Sequence, residues 1–152
     1  MGDLKNFRDN SPSKSYVAVL LNPCFYSVIL YRLSNRLYKI KLHPLAKIVW
    51  LINRILFSID IDYRAQIGKN FKIIHGIGTV IGCDVKIGNN VSIYQGVTLG
   101  GCGKERYIDN KKFTQPIIGD DCIIYTNSCI FGPVIISNNT NIKACSVVSK
   151  DI

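Results

Sequence analysis

The sequence predicts a mainly β chain, a parallel β-helix wound from hexapeptide units and preceded by a short helical N-terminal segment. Two observations carry that prediction. Large aliphatic residues recur six apart, with one exception, at Ile67, Ile73, Ile81, Ile87, Ile93 and Leu99, and again at Ile118, Ile124, Ile130, Ile136, Ile142 and Val148. The fifth residue of most units is small or β-branched: Val85, Val91, Val97, Cys122, Ser128, Val134, Thr140 and Ser146. A hexapeptide period supplies one strand and one corner per unit, so a stack of coils buries the aliphatic and narrows at the small residue. Gly and Asn at Gly68, Gly82, Asn89, Asn90, Asn138 and Asn139 suit the corner backbone. A helix would show a 3.6-residue period, and a sandwich would alternate between unevenly spaced turns.

Taken in order, residues 1–57 read as the helical segment and 58–152 as the solenoid, with a loop excursion at 100–117. The first ten residues, MGDLKNFRDN, lack the apolar stretch of a cleavable signal. Asn22-Pro23 reads as an N-cap and first helical residue, followed by Phe25, Ile29, Leu30, Leu33 and Leu37. His43-Pro44 opens a second helix, LAKIVWLINRILF, apolar nearly all round and too short to span a bilayer. It is expected to pack on the repeats or on a neighbouring subunit, although Trp50 and its flanking bases would also suit a membrane surface. The net charge of +9 is uneven, with nine Lys and Arg against two acids over residues 1–56 and ten against eight thereafter. Such a basic front suits an anionic surface or glycan. No nucleic-acid motif accompanies it, so nucleic acid is not an expected partner.

The period breaks once inside the repeats. Between Ile73 and Ile81 two extra residues enter, in the unit IIHGIGTV, which holds the one histidine of the repeat region, His75. An imidazole titrates near neutral pH and suits general-base work, so the broken unit is the first candidate for chemistry. The excursion at 100–117 carries Lys104, Arg106, Lys111 and Lys112, cations able to meet phosphates. The six cysteines show no paired metal-ligand spacing and read as reduced, small apolar residues. One repeat-region histidine also excludes a three-histidine zinc centre.

The hexapeptide array, the segment IDIDYRAQIG, the unit HGIGTVIG and the run SIYQGVTLGGCGK, with the helical stretch NPCFYSVILYRLSNRLY before them, resemble the serine acetyltransferase branch of the left-handed β-helix acyltransferases. The resemblance covers about residues 22–150. It implies a left-handed solenoid, a homotrimer with active sites between subunits, acetyl-CoA as donor and no metal. By position, His75 takes the place of the catalytic histidine and Asp60 that of the aspartate which orients it, with Asp62 as competitor. Gly100, Gly101, Cys102 and Lys104 fall on the CoA-contacting run, Cys102 standing where the family has threonine, and Thr126 is carried over with them. Two departures bear on the acceptor: Ile74 replaces the aspartate beside the catalytic histidine, and Thr114-Gln115 replace the Arg-His pair that helps hold serine. The loop is also longer and the helical front shorter.

The expected activity is acetyl-CoA-dependent O-acetyl transfer by direct attack, with His75 as base. The departures at Ile74, Thr114 and Gln115 favour an uncharged sugar hydroxyl of a surface polysaccharide over free serine, with Tyr107 and Phe113 offering it a stacking surface. The alternatives are a serine O-acetyltransferase of cysteine biosynthesis, N-acetyl transfer to an amino-sugar, and a non-catalytic solenoid. A cytoplasmic setting is expected, with peripheral contact at the inner membrane face through the basic helices as an option.

Overall fold

The computed structural model describes residues 2–9 and 11–152. Helices come first: α1 (Gly2–Asp9), α2 (Tyr16–Leu20), α3 (Pro23–Lys39) and α4 (His43–Phe57). Asn22 caps α3 as the sequence predicts, its side-chain oxygen accepting from the Cys24 N–H at 2.9 Å. Ser58, left-handed at φ 53°, stops α4. Helix α1 falls inside the segment read as helical, although its octet is polar apart from the residues it turns inward. Asp3 holds it in place: the carboxylate accepts from Phe71 N–H at 2.9 Å and pairs with Arg32 of α3 at 3.0 Å. Phe7 buries itself edge-to-face on Phe25, with ring centroids 5.5 Å apart.

The strands follow in chain order: β1 (Asp60–Ile61), β2 (Gln66–Ile67), β3 (Lys72–Ile74), β4 (Val80–Ile81), β5 (Lys86–Ile87), β6 (Ser92–Tyr94), β7 (Thr98–Gly100) and β8 (Arg106–Ile108). Then come β9 (Lys111–Phe113), β10 (Ile117–Ile118), β11 (Ile123–Ile124), β12 (Cys129–Phe131), β13 (Ile135–Ile136), β14 (Asn141–Ile142) and β15 (Val147–Val148). Three parallel sheets form the faces of a prism, in orders β1-β4-β7-β12-β15, β13-β10-β5-β2 and β14-β11-β6-β3. The lead aliphatics lie in register down each face, as in Ile61, Ile81, Leu99, Ile130 and Val148 on the first. All five are buried, and full burial of each such side chain contributes about 1.5–3 kcal/mol. The small fifth residues fill the corners, where Ala65, Val85, Val91, Val97, Cys122 and Ser128 are wholly buried. One corner is stitched by a polar column: Asn70 Nδ2 donates to Asn90 Oδ1 at 2.7 Å, and Asn90 Nδ2 to Asp121 Oδ1 at 2.9 Å. All three have φ of 56–57°, a left-handed conformation that Asn and Asp adopt more readily than other side chains.

The helices cap the β1–β3 end. Tyr31 donates its hydroxyl to the Ala65 carbonyl at 2.7 Å, Asn35 Nδ2 to Tyr63 O at 2.8 Å, and Arg32 Nη1 to Ile67 O at 2.6 Å. Burial pushes the Tyr31 phenol up to about 12. Helix α4 packs on α3, with Asn53 Nδ2 donating to Ser27 O at 3.1 Å. Its outer face leaves Leu45, Ile48, Leu51, Ile52, Ile55 and Leu56 exposed. Among the described residues, no helix is long and apolar enough to cross a membrane.

The excursion at 100–117 holds more order than a loop. Strands β8 and β9 pair antiparallel as a hairpin, turning at Asp109 and Asn110 with φ of 49° and 59°. Two consecutive positive φ values give a turn whose twist matches the strands. Arg106 ties the hairpin to Asp151 at 2.6 Å.

Candidate active site

The broken period resolves to two residues. Ile73 and Ile74 pair with Ile93 and Tyr94, and pairing resumes with Val80 against Thr98. Counting back from Val80 sets Ile77 and Gly78 beside Gln95 and Gly96, so His75 and Gly76 have no counterpart in the next coil. Both are left-handed, at φ 65° and 63°. The bulge closes on itself, with Ile77 N–H donating to His75 O at 2.8 Å and Thr79 N–H to Gly76 O at 3.0 Å. A non-glycine residue at such a φ is uncommon, and backbone strain of this kind gathers at functional sites. Gly76 lies buried against the core, where a Cβ would come within 2.5 Å of Ile59 Cδ1. The bulge therefore seats its glycine inward and leaves His75 exposed.

His75 lines a cavity of about 660 Å³ together with Ile74, Tyr94, Lys72, Asn22 and Phe7. Tyr94 leans on Tyr125 of the next coil, centroids 5.1 Å apart. Lys72 is only 7% exposed, and burial lowers its ammonium pKa. Its Nζ lies 5.9 Å from the Phe7 ring centroid.

Asp60, the expected partner of His75, points elsewhere. Its carboxylate accepts from Trp50 Nε1 at 2.9 Å and lies 3.4 Å from Arg54, and no hydrogen bond joins it to His75 among the described residues. Asp62, the competitor, is taken by Arg64 at 2.8 Å. The sequence reading missed Trp50 and Arg54 as neighbours of Asp60. Their i, i+4 spacing on α4, with Asp60 just past its end, was the available signal.

The residues expected to meet CoA gather on a different part of the chain. A Cβ on Gly100 would meet nothing within 4 Å, so the strand end is open to a ligand arm. Cys102 and Lys104 beside it are exposed. Thr126 sits one corner away, its hydroxyl donating to Gln95 O at 3.2 Å. Thr114 and Gln115 serve as anchors for the hairpin: Thr114 donates from N and Oγ1 to Asp84 Oδ2 at 3.1 and 2.9 Å, and Gln115 Oε1 accepts from Asp84 N–H at 3.1 Å. Neither lines the His75 cavity. Phe113 does not offer the expected stacking surface either, being buried with Lys86 Nζ 4.4 Å from its ring, whereas Tyr107 is exposed. Among the described residues, no group of three or more His, Cys, Asp or Glu is placed to hold a metal ion.

A three-faced hexapeptide coil with an imidazole bulged from one corner defines the class of left-handed β-helix acyltransferases. No protein-family model matches the chain. It is 38% identical over 152 residues to a serine acetyltransferase of Bacillus pumilus, covering 99% of this chain and 68% of the relative. It is 42% identical over 127 residues to that of Staphylococcus xylosus, covering 84% of this chain and 56% of the relative. Among solved structures, serine acetyltransferase of Neisseria gonorrhoeae superposes with a TM-score of 0.89 at 35% identity, over 99% of this chain and 57% of that one. Soybean serine acetyltransferase complexed with serine gives 0.88 at 34%, over 99% and 61%. The chain belongs to the serine acetyltransferase family, and it spans little more than half to two thirds of these relatives' length.

Proposed function

We propose that the chain transfers an acetyl group from acetyl-CoA to an acceptor hydroxyl, with His75 as general base. The observation that carries this reading is the two-residue bulge, which sets one exposed imidazole at the mouth of a 660 Å³ cavity. Bound acetyl-CoA supplies a thioester carbonyl. His75 takes the hydroxyl proton as oxygen attacks that carbon, then returns a proton to the departing sulfur, so one C–O bond forms and one C–S bond breaks. Asp60, the carboxylate that the resemblance assigns to orienting the base, is held by Trp50 and Arg54. The open strand end at Gly100, Gly101, Cys102 and Lys104 suits the donor's arm and phosphates.

Because that strand end and the His75 cavity lie on separate parts of one chain, we infer a homotrimer in which neighbouring copies bring the two together. The exposed aliphatics of α4 and Val147 on β15 support such packing. A membrane contact gains no support from the relatives.

For the acceptor, the relatives favour L-serine over the polysaccharide sugar put first by the sequence reading. A sugar stands as the second reading on one observation: Ile74 and Tyr94 give the cavity an apolar wall where the family carries an acidic side chain. The test is acetyl-CoA consumption with L-serine and with neutral sugars, wild type against His75→Ala. A fall in kcat of about 10²–10⁴ is expected, and near-normal turnover by the variant overturns the reading.

A further inference from the structure

We propose that the groove between α1, α3 and the β2–β3 corner binds a single-chain anionic amphiphile, an acyl tail ending in a carboxylate, with Arg36 and Lys69 meeting the head. The site is separate from the His75 cavity and does not depend on the acetyl-transfer reading. The groove has a volume of about 890 Å³, within the roughly 300–1,000 Å³ of ordinary small-ligand sites. Leu4 of α1, Phe25, Ile29 and Leu33 of α3, and Ile67 of β2 give it an apolar floor. Ile29 and Leu33, 43% and 44% exposed, stand one turn apart on the same helix face. Single exposed aliphatics are ordinary on a surface. Two side by side in a concave wall leave apolar area for a tail to cover.

Charge decides the head. Four charged side chains line the groove: Asp3, Arg32, Arg36 and Lys69. Asp3 and Arg32 are spent on each other and on the backbone. They pair at 3.0 Å, while the Asp3 carboxylate accepts from Phe71 N–H and Arg32 Nη1 donates to Ile67 O. Arg36 and Lys69 are exposed, and among the described residues neither side chain has an ion pair or a hydrogen bond. The lining therefore holds two uncompensated cations and no free carboxylate. Arg36 also closes the stripe of α3 that begins at Phe25, about 16 Å of helix at 1.5 Å per residue. A tail lying along that stripe delivers its head to Arg36. A guanidinium takes a carboxylate through two parallel N–H donors, and Lys69, in the corner after β2, adds the second charge. Walls from three elements suit one chain lying in the groove, not the flat surface of a bilayer.

The full chain is titrated by calorimetry with decanoate below its micelle-forming concentration. Decanol is the match without the charge, and acetate the match without the tail. Wild type is expected to bind decanoate at least tenfold tighter than decanol and at least a hundredfold tighter than acetate. Arg36→Ala combined with Lys69→Ala should remove the preference over decanol, and Leu33→Asn should weaken decanoate at least fivefold, both with unchanged melting profiles. Arg36→Lys combined with Lys69→Arg should keep most of the preference. Equal binding of decanoate and decanol by wild type, no binding of decanoate, or a preference that survives the alanine pair overturns the proposal. Decanoate that is displaced by acetyl-CoA, or lost in His75→Ala, sits in the transfer cleft and overturns it too. Binding to phosphatidylglycerol vesicles without binding to monomeric decanoate would assign the two cations to a membrane and likewise overturn it. Calorimetry reads this site whether or not the chain transfers acetyl groups, so failure here and failure of the acetyl-transfer reading are distinct results.

Discussion

Substituting the two glycines of the His75 turn separates strain from crowding. Gly78 has φ 75°, and its added Cβ would meet only Gly96 Cα, at 3.9 Å. Gly78→Ala should therefore cost about the left-handed penalty alone, roughly 1–2 kcal/mol. Gly76 has nearly the same φ, 63°, but its Cβ would lie 2.5 Å from Ile59 Cδ1, 3.0 Å from Ile73 Cγ2 and 3.1 Å from Cys24 Sγ. Those neighbours are buried in the core and can yield only by repacking, which adds about 1–3 kcal/mol. For a domain of this size each kcal/mol moves the midpoint by roughly 2–4 °C, so Gly76→Ala should melt about 2–12 °C below Gly78→Ala. Thermal unfolding followed by circular dichroism at one fixed protein concentration reads the difference. Folded Gly76→Ala should also lose tenfold or more in acetyl transfer, since the displaced turn carries His75. Midpoints within about a degree of each other would refute the account of the bulge as a turn braced against the core.

Three further outcomes follow from the contacts described. Asp60→Asn and Trp50→Phe should each lower kcat less than His75→Ala does, because they alter the surroundings of the base without removing it; a loss in Asp60→Asn as large as in His75→Ala would contradict this. Asp151 is held below its ordinary value of 3.8, first by its hydrogen bond from Arg106 and then by the Ile135 N–H; a depressed carboxyl stabilises above its unfolded pKa and loses that contribution as pH falls through the folded value. Protease nicking of the β8–β9 hairpin should accordingly rise below about pH 4 in wild type, and Asp151→Asn should show the raised nicking at neutral pH. Light scattering at micromolar protein should return a trimer, and a monomer would remove the shared-site reading.

The coil was legible because its code is redundant. Each lead aliphatic states the same fact, and the stacked Ile61, Ile81, Leu99, Ile130 and Val148 column is a direct consequence of the six-residue period. His75 was legible for the opposite reason, as the place where the redundancy failed; the structure narrows that failure to His75 and Gly76. The hairpin was hidden because Asp109-Asn110 lacks the glycine that usually marks a two-residue turn. Helix α1 lay inside the segment read as helical but carried no pattern of its own, because its order depends on Arg32 and the Phe71 amide, partners distant in sequence from Asp3. The contacts of Asp60 were hidden for a related reason. A match by position fixes where the carboxylate starts, and the local donors Trp50 and Arg54 decide where it points.

The polar column of Asn70, Asn90 and Asp121 makes each coil a clamp on the next and on nothing further away. Ladder partners are separated by one turn of chain, as in Gln66 with Lys86 and Ile117 with Ile135, so the molecule is close to a one-dimensional stack in which stability passes from neighbour to neighbour. One end of that stack is closed by α1, α3 and α4; at the other, β14 and β15 each have a strand partner on one side only, while β13 is also bonded along its outer side by Ile152, whose N–H donates to Ile135 O at 3.0 Å. Amide exchange should therefore be graded along the axis, slowest at β3–β6 and fastest at β14 and β15. His75 stands at the protected end. Fraying of the outer coils can expose the far strands many times over without reaching the turn that holds the imidazole.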